Sequence, residues 1–435
     1  MRHKIRTRLG AIGALAALGL VAACGGGGAS GGATGSSGPT EITFWTWTKG
    51  SAEVVDAFNA LHTDVTVKFE QIPSGAAGGY TKMTNAIKAG NAPDVLNIEY
   101  PVLPDYVSQG SLADLTPHVG ELKSKFPDQI RALTELGGKT WAVPLDASPM
   151  VLYYRKDFFD ANGITPPKTW DDYKAAAAKV KQADPKARIG TFFPDDPGHF
   201  ASLAWQAGGK WFGTSGDSWN VSIDDPKSKE VADYWQGLVS DDLVRVQSAF
   251  SQEWNASVKA GETVAYVGAS WGAGSALRAN QPDQAGKWAV APIPNWGTPA
   301  SGMYGGSTFA VTKDSKKVEA AVKFISWMTT NEQAITTRIG IAKSTMYPAA
   351  ADMVPVAAKS FDNSFFGGQD AYSVYKDAAG TIKNGWTWGP SMFATNSTLK
   401  DSFGTVTSGG TLTDALGKAQ KSTVDELKKR GLNVS

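Results

Sequence analysis

Cysteine is nearly absent from this chain. Only Cys24 occurs in 435 residues, so no disulfide can form within the chain, and a fold of this length does not need one. Histidine is scarce as well. His3, His62, His118 and His199 lie far apart, and there is neither a His-Glu-x-x-His run nor a cysteine pair, so no zinc site is expected. The phosphate-cradling glycine patterns are missing too: no Walker A spacing, and no Gly-x-Gly-x-x-Gly between a strand and a helix. Formal net charge is +1, with no stripe of Lys and Arg to displace counterions, which argues against a nucleic-acid partner. No metal and no other cofactor is expected.

Catalytic patterns are equally thin. Gly268-Ala-Ser270-Trp-Gly272 matches Gly-x-Ser-x-Gly after a strand-like run. In an α/β-hydrolase the histidine follows that serine, yet all four histidines here precede Ser270. A glycosidase needs two carboxylates at a set separation. Asp195/Asp196 and Asp224/Asp225 stand beside Pro194, Pro197 and Pro226 and read as turn residues. No catalytic residue is assigned.

Two residue types are abundant instead: 48 glycines and 15 tryptophans. So many indoles need a reason, since each brings a large flat apolar face and an N–H that wants a partner when buried. The length calls for two or three domains. The opening carries Arg2, Lys4, Arg6 and Arg8, then runs apolar to Ala23, which reads as a secretory signal too short for a membrane span. Residues 24–40 form a Gly/Ser-rich tether, with a root-mean-square reach of about 20–24 Å. From Glu41 onward strand-like and helix-like runs alternate, which argues for a parallel sheet with right-handed crossovers. Ligands of such sheets sit beyond the carboxyl ends of the strands. Those ends are Trp45 to Lys49, Gln71, and Glu99 with Tyr100. No internal repeat is present.

The run Trp141–Tyr173, WAVPLDASPMVLYYRKDFFDANGITPPKTWDDY, resembles the signature of extracellular solute-binding protein family 1, the sugar-type, maltose-binding-like receptors of ABC importers. Supporting stretches are APDVLNIEYPVLPDYVSQGSLADLTP, WQAGG, YGGSTFAVTKDSKKVEAAVKFISWM and TLTDAL. Arg155 stands where that family usually has asparagine. Val21 to Cys24 likewise resembles a lipobox, whose cysteine is acylated. The resemblance implies an α/β, two-lobed periplasmic-binding-protein fold of the type II kind, with mostly parallel sheets flanked by helices and a ligand cleft at the hinge. It implies crossings near Ala147–Met150, Ala291–Pro294 and Met346–Pro348. Residues 1–23 would then be the signal and 24–40 the tether. Lobe 1 would take 41–147 with 295–346, and lobe 2 would take 148–294 with 347–435. It also implies a lipid-anchored monomer outside the cytoplasm, with membrane permease subunits and a carbohydrate as partners.

Sugar recognition fits the composition. Indoles cover the C–H faces of a pyranose and exclude water, while charged groups give its hydroxyls hydrogen bonds of roughly 1.5–3 kcal/mol. The candidate ligand-binding residues are Trp47, Lys49, Gln71, Glu99, Tyr100, Asp146, Trp271, Gly306, Ser307, Trp386 and Trp388. Trp386 and Trp388 alternate on an irregular segment expected at the cleft lip, so one should face the ligand and the other pack inward. Trp45, Trp141, Trp170, Trp205 and Trp327 read as structural. The alternatives are a receptor for a polyol or similar polar solute, a secreted glycoside hydrolase, and a surface scaffold.

Overall fold

The computed structural model describes residues 38–435. The basic and apolar opening, Cys24 and the glycine-rich stretch as far as Ser37 lie outside the described residues. In β1 (Thr40–Thr46) alternation sends Ile42, Phe44 and Thr46 inward and leaves Thr43 and Trp45 half-buried. Trp45, expected in the core, instead lies under the Lys82 ammonium, 4.4 Å from its ring centroid, a cation–π arrangement. α1 (Ser51–Leu61) buries Val54, Val55 and Phe58 at helical spacing. β2 (Val65–Gln71) and α2 (Gly79–Ala89) follow. α2 stops at Gly90, whose φ of 71° is a left-handed end that glycine tolerates. Then come β3 (Val95–Glu99), buried on both faces apart from Glu99, and α3 (Leu103–Ser108).

Further strands are β4 (Val143–Pro144), β5 (Met150–Arg155), β6 (Ala265–Ala269), β7 (Trp288–Pro292) and β8 (Ser307–Val311). β1 pairs in parallel with β2 and β3, and β8 returns antiparallel between β3 and β4, giving the order β2-β1-β3-β8-β4. The second sheet, β6-β5-β7, is antiparallel throughout. Parallel pairing in that half amounts, among the described residues, to a short ladder of Gly190–Phe192 with Val244–Val246 and isolated bridges such as Arg188 with Thr263. The resemblance implied mostly parallel sheets there too. Antiparallel neighbours need no crossover helix between them, so the helices of this half are free to pack around the sheet instead.

The helices that matter for the site are α4 (Trp170–Ala183), α5 (Pro197–Ala207), α6 (Val318–Thr330), α7 (Met392–Phe403) and α8 (Leu412–Lys429). α4 starts with the capping box that its sequence spells out: Thr169 Oγ1 accepts from the Asp172 N–H at 3.1 Å and Asp172 accepts from the Thr169 N–H at 3.0 Å. α6 lies on the first sheet, where Phe44 meets Phe309 and Phe324 edge-on at 5.3 and 5.2 Å. No helix among the described residues is long and apolar enough to cross a membrane.

Three chain segments pass side by side between the two sheets. Leu145 N–H donates to Ser307 O at 2.9 Å, Ala147 N–H to Tyr347 O at 2.9 Å, and Tyr304 N–H to Ser148 O at 3.0 Å. Asp146 bridges Pro348, and Pro149 bridges Met303. The middle passage is therefore at 301–306 rather than at Ala291–Pro294, where the resemblance implied a crossing. β7 stays paired with β5 through Pro292. It is an edge strand, and an edge tolerates proline because its outward N–H has no partner to lose. Arg155 closes β5 with a two-pronged ion pair to Asp157 at 2.8 and 2.6 Å, which accounts for arginine at that position.

Candidate functional site

The carboxyl ends of β1, β2 and β3 lie next to one another, since Thr46 pairs with Gln71 and Trp45 with Leu96. Trp47, half-buried, follows β1; Gln71 ends β2, exposed; Glu99 ends β3, half-buried. A residue outside the candidate set ties two of these together. The Tyr80 ring meets Trp47 edge-on at 5.7 Å, and its hydroxyl donates to Glu99. Lys49 stands at the rim. Partial burial lowers its ammonium below the usual lysine value, and Arg278, from the segment after β6, pushes the same way.

The second sheet's half faces these groups with aromatic rings. Trp271, half-buried just after β6, donates its indole N–H to Tyr304 O at 2.9 Å and packs 5.0 Å from the Tyr304 ring and 5.8 Å from Phe250. Phe250 holds φ at 53°, a left-handed value unusual outside glycine, of the kind stored at binding sites. Asp196, the N-cap of α5, accepts from both the His199 N–H and the Tyr304 hydroxyl. Gly305 lies between the halves: a Cβ there would sit 3.5 Å from Glu99 Oε1 and 3.6 Å from Trp271 Nε1. Gly306, at φ 97°, rests on the Tyr100 ring so closely that a Cβ would come within 2.9 Å. Glycine here is a packing requirement.

Glu99 is the electrostatic centre. Burial raises its carboxyl from 4.5 to about 7; the Tyr80 hydrogen bond acts against this, and Asp196 and Asp146 add to it. The unfolded chain releases that proton near its ordinary value, so the folded protein holds it over the interval between. The contribution to stability is complete below the unfolded value and lost as pH rises through about 7. Glu99→Gln cannot ionise. It is expected to raise the melting temperature at pH 8 relative to the unaltered protein, with no difference at pH 4. The same change at both pH values would show that Glu99 does not titrate this way.

Five candidates are placed differently from the expectation. Tyr100 is fully buried and donates to Asp146 O at 3.0 Å. Asp146 is buried in the first passage, with Oδ1 accepting from the Ser307 N–H at 2.7 Å and Oδ2 from the Ser148 hydroxyl at 3.0 Å. Burial raises its carboxyl to about 6. Ser307 is buried as the first residue of β8. These three fasten the passages together. Trp386 and Trp388 are both buried, at 5% and 4% exposure, so neither is the exposed indole expected at a lip. Trp386 stacks on Trp205 at 5.3 Å and 5°, and Trp388 meets Trp386 edge-on at 5.0 Å. The irregular backbone was legible in the sequence, but not the Trp205 and Trp211 rings that cover it.

Gly268-Ala-Ser-Trp-Gly272 is explained by packing. The Tyr266 ring lies over both glycines, 2.1 Å from a Cβ built on Gly268 and 2.8 Å from one on Gly272. Ser270 is fully buried, and His199 Nε2 is paired with Val267 O at 2.9 Å.

A sequence model described as "Bacterial extracellular solute-binding protein" matches residues 45–335. The chain belongs to that family. A solved solute-binding protein of Bifidobacterium longum, the galacto-N-biose/lacto-N-biose I-binding protein of an ABC transporter in complex with lacto-N-biose, is 29% identical. It superposes with a TM-score of 0.81 over 92% of this chain and 100% of that one. An ABC-transporter-associated binding protein of B. animalis subsp. lactis, in complex with beta-1,6-galactobiose, is 28% identical with a TM-score of 0.81, over 91% and 100% of the two chains. The arabinooligosaccharide-binding protein of Bacillus subtilis is 26% identical over 68% of this chain and 70% of its own. The solute-binding fold is two-lobed, and the two sheets with their three shared passages are its halves here.

Trp47 and Glu99 come together through Tyr80, and Trp271 lies across Gly305 from Glu99, while Gln71 and Lys49 lie at and beyond the neighbouring strand ends and Gly306 serves packing. Tyr80, Phe250, Asp196 and Tyr304 are additions that sequence reasoning passed over. Asp196 carried a signal, an aspartate before proline that caps a helix, but it was read as a turn. Tyr80, Phe250 and Tyr304 carried none.

Proposed function

We propose that this chain captures a sugar, a di- or oligosaccharide, between its lobes and delivers it to a membrane permease without breaking its bonds. The observation that carries the reading is Trp47 and Glu99 joined through Tyr80 on one lobe, with Trp271 of the other lobe across Gly305 from Glu99. Indole faces cover C–H surfaces, and the carboxylate accepts from hydroxyls. The sugars held by the two superposed relatives support it. Lobe 1 takes the chain from 41 to the first passage and again from 307 to about 346; lobe 2 takes the remainder. Ligand meets one lobe first, and closure about the passages adds the other lobe's contacts, shifting the population to the closed form. Affinity is near micromolar, about −8 kcal/mol, so that cargo can be released. The protein works as a monomer outside the cytoplasm, held to the membrane by an acylated Cys24.

A thermal-shift screen tests this. Saturating disaccharide at 100 times its dissociation constant should add about 2.7 kcal/mol of stability. A panel of mono- and oligosaccharides that leaves the melting temperature unmoved, alongside a polyol that raises it, would transfer the site to the second ligand class.

A further inference from the structure

On Tyr80, beside Trp47, lies a contact between the lobes that ligand recognition leaves unexplained. Phe393, in the first turn of α7, is one of three large apolar side chains exposed among the described residues, at 36%. Its ring enters the other lobe, 5.4 Å from Tyr80 and 6.1 Å from Tyr106, edge-on to both. Beside it Asp105, buried in α3, receives two groups from lobe 2: the Phe393 N–H at 3.3 Å and Arg430 Nη1 at 3.2 Å. Arg430 follows the end of α8. Its Nη2 also donates to Ser108 Oγ at 2.5 Å, and its Nη1 to Pro390 O. One carboxylate of lobe 1 is thus gripped by two separate helices of lobe 2.

We infer that Phe393 and Arg430 form a latch that holds the lobes together, and that Phe393 acts as a positioning residue for ligand by clamping the Tyr80 ring whose hydroxyl orients Glu99. The inference rests on the proposed reading only where it speaks of ligand.

The physical basis is local. A ring between two tyrosines removes apolar surface from water on both lobes and gains edge-to-face contact. A buried carboxylate keeps its charge cheaply only while its partners stay. When the lobes part, Tyr80 loses Phe393 and keeps Trp47 and the Gly75 backbone against its ring, so its hydroxyl is held less firmly on Glu99. Closing the lip and preparing the ligand carboxylate become one event.

Two measurements separate the parts. With Cys24 replaced by serine, spin labels at Lys88 on lobe 1 and Lys400 on lobe 2, both exposed, report the inter-lobe distance in ligand-free protein. Phe393→Ala, Arg430→Ala and Tyr80→Ala should lengthen and broaden the distribution, while Tyr80→Phe, which keeps the ring, should leave it unchanged. Unchanged distances in Phe393→Ala and Arg430→Ala, with melting curves showing folded protein, would overturn the latch whether or not any sugar binds. The second measurement titrates lacto-N-biose and beta-1,6-galactobiose by calorimetry. Phe393→Ala and Tyr80→Phe should each weaken binding about 10-fold, and the double variant little further, because both act through one hydroxyl. Multiplying losses would overturn the positioning role and leave the latch standing. If the unaltered protein takes neither sugar, the titration is run with whichever sugar the thermal-shift panel selects, failure of the whole panel counts against the functional reading, and the distance measurement still decides the latch.

Discussion

Trp271→Ala is expected to weaken sugar binding by about 1–3 kcal/mol, roughly 5- to 150-fold, while the fold survives. Two effects add. The indole is half-buried at the gap, so its loss removes an apolar plate from the ligand and admits water. Its N–H also holds Tyr304 O, and the Tyr304 hydroxyl holds Asp196, so the hydrogen-bonding groups beside the ligand lose their support as well. Trp271→Phe keeps a smaller plate and loses the N–H, and should fall between. Calorimetry on the two variants and the unaltered protein gives the order. Equal affinities would remove Trp271 from the site.

The second large effect is on stability, at Arg338. This guanidinium is fully buried. Its Nη1 donates to Lys49 O at 2.8 Å and Ser51 Oγ at 3.2 Å, while Nε and Nη2 meet no acceptor among the described residues. Burial lowers its pKa to about 10, against the opposing pull of Asp146 and Glu53, so it remains charged at neutral pH. It also explains Gly50, at φ 83°, where a Cβ would lie 3.1 Å from Arg338 Cγ. Arg338→Ala empties this volume, frees the Trp47–Lys49 loop and removes a positive charge that favours the ionised Asp146 carboxyl. Truncating a large, fully buried side chain costs about 2–5 kcal/mol. A ligand-free melting curve should show a drop of several degrees, and sugar affinity should fall with it as the loop loosens. An unchanged melting temperature would mean that Arg338 does not fasten this loop.

What the sequence made legible was local or periodic. The alternation in β1, the apolar spacing of α1 and the capping box at Thr169 each depend on neighbours within one turn or strand, and each formed. Trp47, Gln71 and Glu99 were legible as strand ends because parallel strands that pair in register bring their ends together. What stayed hidden depended on distant partners. Trp386 and Trp388 sit on backbone as irregular as their glycines and proline suggest, yet whether an indole there meets ligand or protein is decided by Trp205 and Trp211, nearly two hundred residues earlier. Asp146 looked like a polar loop residue facing ligand, and only the passage of Ser307 beside it turned its oxygens inward. Tyr304 and Phe250 belong to loops with no periodic signal, and their roles arise from Trp271 lying between them.

The central claim is that two lobes close on a carbohydrate and leave its bonds alone. The most direct measurement is calorimetric titration of the unaltered protein with lacto-N-biose, beta-1,6-galactobiose and an arabino-oligosaccharide, followed by assay of each mixture for newly formed reducing ends. The account predicts saturable one-to-one binding of at least one of them near micromolar, about −8 kcal/mol, with no new reducing ends after prolonged incubation. Heat with no saturation for every carbohydrate, or reducing ends that accumulate with time, would contradict it.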